Sequence, residues 1–203
     1  MNEKQLEIVK KVCELYRQFG IRSVTMDDVV RELGISKKTL YQHFKDKTDM
    51  VLAVMEYDFE TKKKEYIKCF DTQLNAVEEL INYSILQLKI IMDHKPTLIY
   101  DLKKYYPAVF DHFNKLKRES MYNGLLMNLK RGKKEGLYRS DLNAELISRL
   151  NLVRVEGMMN SKIFKPEEIR SREFFKELIK YHAYGIVSEK GRKILESNID
   201  KLK

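Results

Sequence analysis

The sequence has little proline, glycine or cysteine, and each shortage excludes a class of protein. Three prolines and eight glycines among 203 residues argue against a loop-rich or disordered chain. The two cysteines, Cys13 and Cys69, are too few and too far apart for a disulfide framework or a cysteine metal site. We therefore expect an ordered, cytoplasmic protein whose thiols stay reduced.

Long apolar runs and catalytic motifs are also missing. No apolar segment approaches the length of about 18 residues that predicts a membrane span, and the amphipathic start MNEKQLEIVKKV is unlike a signal peptide. GxGxxG, GxxxxGK[ST], HExxH and CxxC are absent, so the sequence does not favour an enzyme. The spacing of His94, His112 and His182 is not typical of a metal site, and we expect neither a metal nor a cofactor.

The chain does have an excess of positive charge. It contains 39 Lys and Arg against 30 Asp and Glu, which gives a net charge of +9 and a pI near 9.3. This charge favours an anionic partner, with nucleic acid ahead of a membrane surface. A merely basic surface has the same composition, so charge alone does not choose among these partners.

Apolar residues recur at steps of three and four along nearly the whole chain, which predicts an all-α fold. The first helix covers residues 4–19 and ends at Gly20. Capping residues and prolines mark the other helix starts. These helices follow Thr25 and Ser36, begin near Asp46, Asn75, Pro96 and Pro107, and cover about 142–161 and 172–188, before a helical tail. Capping boxes are predicted for Thr25 with Asp28 and for Asp46 with Asp49.

The segment Ser23–Lys47, SVTMDDVVRELGISKKTLYQHFKDK, has the pattern of a helix-turn-helix. Gly34 supplies the tight turn, and Val29, Leu40 and Phe44 supply apolar inner faces. The second helix leaves outward the side-chain types that contact phosphates and base edges. They are Lys37, Lys38, Thr39, Tyr41, Gln42 and His43. An ordinary helical hairpin with a solvated polar face has the same pattern.

The density of motif residues makes this segment resemble the DNA-binding domain of the TetR (tetracycline-repressor-like) family. The matching residues are Thr25, Gly34, Ile35, Ser36, Lys37, Thr39, Leu40, Tyr41, His43, Phe44 and Lys47. The resemblance implies a three-helix DNA-binding domain at residues 1–46. It also implies a helical effector-binding and dimerisation domain at residues 47–203, linked to the first by the helix that starts near residue 46.

The resemblance assigns roles to individual side chains of the motif. The predicted DNA-binding residues are Thr25, Ser36, Lys37, Lys38, Thr39, Tyr41, Gln42, His43 and Lys47. Among them, Lys38, Thr39 and Gln42 are candidates for base contacts. Candidates for contacts to the phosphate backbone are Thr25, Lys37, Tyr41, His43 and Lys47. Many relatives have glycine where Lys38 stands and alanine where Val30 stands, so the operator sequence does not follow from the family.

The same resemblance implies a homodimer and a pocket for a small-molecule effector, apolar or aromatic. The predicted dimer surface comprises Leu146, Leu150, Val153, Gly157, Phe175, Leu178, His182, Gly185 and Ile186. The predicted pocket comprises Tyr83, Gln87, Phe110, Phe113, Met121, Tyr122 and Met158. Packing inside one chain is the alternative for both sets, because methionine and aromatic stripes are commonly core.

These expectations combine into one function with one alternative. The chain is predicted to be a ligand-responsive repressor that binds a pseudo-palindromic double-stranded operator as a dimer. The effector would move the helix that begins near residue 46 and so release the DNA. The alternative is a helical small-molecule or membrane-surface binding protein that has kept the fold but lost DNA binding.

Overall fold

The computed structural model describes residues 1–70, 73–92, 96–160 and 163–199. Within these ranges the regular elements are helices, and an isolated antiparallel bridge joins Tyr138 to Val187. The helices are α1 (Glu3–Phe19), α2 (Met26–Leu33), α3 (Lys37–His43), α4 (Lys47–Phe70), α5 (Ala76–Met92), α6 (Pro96–Tyr105), α7 (Pro107–Lys134), α8 (Ala144–Asn160), α9 (Pro166–Ile169), α10 (Arg172–Ile186) and α11 (Glu189–Asn198). The all-α prediction is confirmed. No helix in the described ranges is long and apolar enough to span a bilayer.

Helix boundaries follow the local signals closely. Pro96 and Pro107 are the first residues of α6 and α7, where a missing N–H costs no helical hydrogen bond. The short α9 was not predicted, since four residues give no repeat. The ends of the predicted helices at residues 93–94 and at residue 161 lie outside the described residues.

The two predicted capping boxes differ in how completely they form. The Thr25 hydroxyl accepts the Asp28 N–H at 3.1 Å, and the Asp28 carboxylate accepts the Thr25 N–H at 2.9 Å. Asp46 likewise accepts the Asp49 N–H at 2.9 Å, but the Asp49 carboxylate accepts the N–H of Lys45 instead. The first capping box is therefore complete. In the second, the hydrogen bond to the Asp49 carboxylate comes from the residue before Asp46.

The chain divides into two compact units, the first of which comprises Met1–Lys64 and Lys95–Leu116. Its core takes buried side chains from α1 to α4, and α6 and α7 add further ones. Members of this core include Val9, Val12, Tyr16, Val29, Leu40, Phe44, Met50, Val54, Leu102 and Phe113. Residues beyond position 46 therefore contribute to the core that supports the first three helices. The domain boundary at residue 46 stays a prediction.

The second unit comprises Glu65–His94 and Lys117–Lys203. Its core is formed by α5, the end of α7, α10 and α11. A buried polar network supports it: the Glu79 carboxylate accepts from the guanidinium of Arg131, and the Asn128 side-chain amide donates to the Ala76 carbonyl at 2.9 Å. The Tyr138 hydroxyl lies 2.7 Å from the Asn128 Oδ1 atom. Because these buried groups satisfy one another, the network fastens α5 to α7.

Candidate functional site

The turn between α2 and α3 is built by short-range backbone hydrogen bonds. Gly34 has φ 62° and ψ 30°, the left-handed region that glycine enters at least cost. Its N–H donates to the Arg31 carbonyl at 3.3 Å, and the Ile35 N–H donates to the Val30 carbonyl at 3.2 Å. These two bonds have the Schellman pattern of a helix end. The chain therefore reverses direction within three residues before α3 begins.

A cap and a buried side chain hold α3 in place. The Ser36 hydroxyl accepts the Thr39 N–H at 3.0 Å, and the two side-chain hydroxyl oxygens lie 2.8 Å apart. Leu40 is fully buried in the core of the first unit. Since a seven-residue helix is unstable by itself, this anchoring fixes the direction in which the outer side chains of α3 point.

Three predicted base or phosphate contacts share the outward face of α3. Lys38, Tyr41 and Gln42 stand at positions i, i+3 and i+4, which adjoin on one face of a helix. All three are exposed, and Tyr41 keeps 51% of its accessible surface. Among the described residues, no hydrogen bond or ion pair holds the Lys38 ammonium or the Gln42 amide. These groups are therefore available to a ligand on this face.

Lys37 forms an ion pair across the turn. Its Nζ atom lies 2.9 Å from the carboxylate of Asp27 on α2, and both side chains are exposed. The hydrogen bond to Asp27 raises the pKa of Lys37 above its usual value. Because solvent screens an exposed pair, a phosphate can replace Asp27 at little cost.

Thr25 has a cap role that competes with its predicted phosphate contact. Its hydroxyl lies 2.6 Å from the Asp28 Oδ2 atom, and its N–H donates to the same oxygen. Hydrogen bonds from the Thr25 side chain and backbone lower the pKa of Asp28. The next N–H groups of α2 remain directed outward, as at any helix N-terminus.

Two other predicted phosphate ligands also contact neighbouring parts of the first unit. The Lys47 ammonium is half-buried and donates to the Arg22 carbonyl at 3.2 Å, and burial lowers its pKa. The His43 carbonyl accepts from the Gln5 side-chain amide at 3.3 Å, while its ring lies beside Phe44. These contacts tie the ends of α3 and the start of α4 to the loop before α2 and to α1.

Sequence reasoning missed an acidic residue that orders the loop before α2. The buried Asp101 carboxylate of α6 accepts the Arg22 N–H at 2.9 Å, and the Arg22 guanidinium lies 5.0 Å from the centre of the Tyr105 ring. Asp101 stands in an ordinary amphipathic repeat, so its role has no local signal. Together with Lys47, Asp101 holds both sides of the loop that leads to Thr25.

The second unit contains a cavity of about 50 Å³ between α5, α7, α8 and α10. Four predicted pocket residues line it, namely Tyr83, Gln87, Met121 and Met158. The Gln87 amide also donates to the Tyr66 hydroxyl of α4 at 2.9 Å. The space is enough for a few water molecules only, so a larger ligand has to displace some of the lining side chains.

The remaining predicted pocket residues lie elsewhere. Phe113 is buried in the core of the first unit and Phe110 packs against it, while Tyr122 is half-buried on α7 and does not line the cavity. The predicted pocket residues of α7 separate because this helix belongs to the first unit up to Leu116 and to the second from Lys117. Polar lining residues that the prediction lacked are Ser84, Asn151 and Arg154.

The predicted dimer residues separate into exposed and buried sets. Leu146, Leu150 and Val153 are exposed on α8, and a Cβ at Gly157 or Gly185 would meet no atom within 4 Å. Others face inward: Phe175 and Ile186 are buried in the core of the second unit, and Leu178 and His182 line the cavity. Apolar residues on α10 that the prediction lacked, Tyr181 and Tyr184, are exposed.

Metal-ligating side chains do not cluster in the part of the chain that the structure describes. No group of three or more His, Cys, Asp or Glu residues there is close enough to hold an ion. His112 belongs to the first unit and His182 to the second. His94 lies outside the described residues.

Comparison with known proteins places this geometry in a family. Residues 8–54, which include α2, the turn and α3, match the family of bacterial regulatory proteins described as tetR. An HTH-type transcriptional regulator of Staphylococcus aureus (strain MRSA252) is 32% identical over 99 residues, which are 47% of this chain and 52% of that protein. The chain spans about half the length of the curated relatives it matches.

Solved structures match over a larger share of the chain. A transcriptional regulator from Cytophaga hutchinsonii has a TM-score of 0.72 at 16% identity and covers 92% of this chain and 100% of its own. A protein of Saccharomonospora viridis in complex with choline has a TM-score of 0.67 at 20% identity, with 93% of this chain and 100% of its own covered. At these identities the likeness shows the fold.

The capped α2, the glycine turn and the anchored, polar-faced α3 form a helix-turn-helix of the kind found in DNA-binding transcriptional regulators. Residues 8–54 thus match the tetR family, as the motif residues predicted, and the rest of the chain shares the fold of the solved regulators. That family consists of regulatory DNA-binding proteins and is not a family of enzymes.

Proposed function

We propose that the chain binds a pseudo-palindromic operator as a homodimer and represses transcription until a small-molecule effector releases it. The observation that carries this proposal is the outward face of α3. Lys38, Tyr41 and Gln42 are exposed there on a helix whose opposite side is fixed by Leu40. A duplex in contact with this face would meet a cation, a phenol and an amide, which are common groups at DNA interfaces.

The proposed contacts divide into those that specify sequence and those that position the protein. Lys38 suits the O6 and N7 acceptors of guanine, and Gln42 suits the N6 and N7 pair of adenine. Thr39 is a weaker candidate, because its hydroxyl lies against that of Ser36. Tyr41, Lys37, Lys47 and His43 would contact phosphates, together with the α2 N-terminus at Thr25.

The dimer proposal is supported by the exposed apolar surface of α8 and α10, defined here by Leu146, Leu150, Val153, Tyr181 and Tyr184. An exposed apolar stripe at helical spacing is typical of an interaction surface. The open space beside Gly157 and Gly185 would let a second copy approach closely. Two recognition helices related by a two-fold axis need half-sites about one duplex turn, roughly 34–36 Å, or a multiple apart.

Effector release is proposed to act through α4. This helix carries Lys47, which holds the loop before α2, at one end, and Tyr66, which accepts from the cavity residue Gln87, near the other. A ligand that displaces Gln87 would therefore disturb α4 and, through it, the spacing of the two α3 helices. Because a repressor acts on chromosomal DNA, we propose that the protein is cytoplasmic.

Electrophoretic mobility shifts with the DNA upstream of the chain's own gene test DNA binding. The wild-type protein should bind one fragment specifically, with affinity falling steeply as salt rises, because bound phosphates release counterions. Lys38→Ala and Gln42→Ala should each reduce specific affinity about 5- to 150-fold, corresponding to about 1–3 kcal/mol per base contact. The matched control is Lys193→Ala, which removes an exposed lysine of α11 and should leave affinity unchanged.

The same titrations can reject the proposal. Failure of the wild-type chain to bind any upstream fragment, or binding that does not depend on salt, would leave the helical binding protein without DNA affinity as the better interpretation. Equal losses in Lys38→Ala and Lys193→Ala would show that α3 has no special role.

A further inference from the structure

The cavity of the second unit contains a positive charge that no acidic side chain in the described part of the chain neutralises. Arg154 of α8 donates through Nη1 to the Leu178 carbonyl at 3.2 Å and through Nη2 to the Asn151 side-chain oxygen at 2.6 Å. Both acceptors are neutral. Among the described residues, no carboxylate pairs with Arg154, and no Asp or Glu lines the cavity. A shielded cation without a counter-charge is unfavourable, so residues of this kind commonly serve a ligand.

The third nitrogen of this guanidinium, Nε, is directed at no acceptor among the described residues. The Arg154 Nε atom is shielded from solvent and has no hydrogen-bond partner among the described residues. Burial lowers the pKa of Arg154 from its usual value, yet a guanidinium stays protonated at neutral pH. Its N–H thus offers a charged donor that protein atoms do not satisfy.

A second unsatisfied polar atom faces the same cavity from α10. His182 Nε2 is buried without a partner. Burial, and then the charge of Arg154, lower the pKa of His182 to about 4, so its ring is neutral at pH 7 and can donate one N–H. The Arg154 Nε–H group, and His182 Nε2 in the tautomer that has its proton there, would form a polar end for a ligand that is otherwise apolar.

The remaining lining residues suit the apolar part of a ligand. Leu80, Leu125, Phe175 and Ile179 line the cavity and carry no polar side-chain atoms. Met121 and Met158 also line it, and their unbranched thioether chains adjust most easily to a new shape. The present volume of about 50 Å³ can therefore grow when these methionines change rotamer.

We propose that the effector is an organic acid with an apolar body, and that its carboxylate binds Arg154 with a second hydrogen bond from His182. The apolar part lies against the leucine and phenylalanine side chains and displaces the methionines. This inference rests on the proposed effector function and narrows its ligand class. It predicts that a neutral or cationic analogue of the same shape binds less tightly, because neither supplies the counter-charge.

Ligand binding without DNA tests this inference. The probes are decanoate and naphthoate at submicellar concentrations, their neutral analogues decanol and naphthylmethanol, and the cation decyltrimethylammonium. We expect at least one acid to raise the melting temperature and to give saturable binding in titration calorimetry. Its neutral analogue should bind about 10- to 100-fold more weakly, the ratio expected for loss of a charge-assisted hydrogen bond, and the cation should not bind.

Substitutions at Arg154 and His182 locate the binding groups, and His182→Phe should bind the acid more weakly than the wild type. Arg154→Met should lose the preference for the acid and keep weak binding of the alcohol. Arg154→Lys should retain part of the preference for the acid. The control is Arg149→Met, which removes an exposed arginine of the same helix and should bind like the wild type. Without ligand, Arg154→Met should melt no lower than the wild type, because it removes an uncompensated cation.

Specific binding results would reject an acidic ligand, and none of them depends on DNA binding. Equal binding of acid and alcohol, or no binding of either acid, would overturn the acid class. A melting temperature that drops in Arg154→Met, together with unchanged acid affinity in Arg154→Lys and His182→Phe, would make Arg154 a purely structural link between α8 and α10. None of these results affects the mobility shifts, so the operator proposal is judged by its own experiment.

Discussion

Among single residues, His182 has the clearest consequence for stability. Its ring is buried in the second unit, and its pKa falls from the ordinary value of 6.5 to about 4. In the unfolded chain the imidazole regains its ordinary pKa and binds a proton more readily. Lowering the pH through the interval between these two values therefore favours the unfolded state.

A comparison of two proteins measures this effect. Between about pH 7 and about pH 4.5, the wild-type free energy of unfolding should fall by about 2 kcal/mol more than that of His182→Gln, which does not titrate. Urea unfolding followed by circular dichroism at both pH values provides the measurement. Parallel losses in the two proteins would mean that His182 has no depressed pKa in the folded state.

The residues proposed to bind DNA differ in how they contact the rest of the protein. Lys37, Thr25 and Lys47 form hydrogen bonds or ion pairs with protein atoms. Lys38 and Gln42 are exposed, and in the described ranges their side chains form none. Substituting a residue of the first kind changes both the scaffold and its charge. Substituting Lys38 or Gln42 changes the exposed chemistry of α3 with little effect on the fold, so these two positions give the cleaner test of specificity.

At the scale of elements, the turn between α2 and α3 depends on the backbone of one residue. Gly34 lies at φ 62°, and a Cβ there would meet no atom within 4 Å. Strain from the left-handed conformation is therefore the whole cost of a side chain, with no clash added.

Two substitutions at Gly34 separate conformation from bulk. Gly34→Ala should lower the free energy of unfolding by about 1 kcal/mol, because alanine disfavours the left-handed region. Gly34→Asn, although larger, should cost less, since asparagine enters that region more readily. Chemical unfolding of the three proteins gives the ranking, and a greater loss for asparagine than for alanine would contradict this explanation.

At the scale of the whole molecule, the exposed apolar surface of α8 and α10 needs a second copy in the proposed mechanism. Val153 keeps 67% of its accessible surface within one chain. Burial of such side chains between two copies would contribute about 25 cal/mol for each Å² removed from water. A charge placed in that surface would have to be desolvated on association.

Analytical ultracentrifugation tests the dimer. Val153→Glu should weaken self-association by at least about tenfold, equivalent to about 1.4 kcal/mol, and leave the helical circular dichroism signal unchanged. The control is Phe19→Glu, which places the same charge on an exposed apolar position of α1 and should not alter association. A wild-type chain that sediments as a monomer at all concentrations would reject the dimer.

The sequence by itself determined the features that depend on near neighbours along the chain. Helix starts at Thr25, Ser36, Pro96 and Pro107, the ends at Gly20 and Gly34, and the family motif were all predicted, and the structure and the comparisons confirm them. These signals are local, because caps and turns involve hydrogen bonds within about four residues. The anchored face of α3 follows from the same periodicity.

Only the tertiary structure decided which helix faces meet. It placed Phe113 and Met121 of one helix in different units, buried Phe175 and Ile186 within the chain, and brought Arg154 of α8 and His182 of α10 to one cavity. Helical periodicity identifies an apolar face but not its partner. Choice of partner depends on close packing between segments far apart in sequence. That packing assembled the cavity in which Arg154 has no carboxylate partner among the residues that the structure describes.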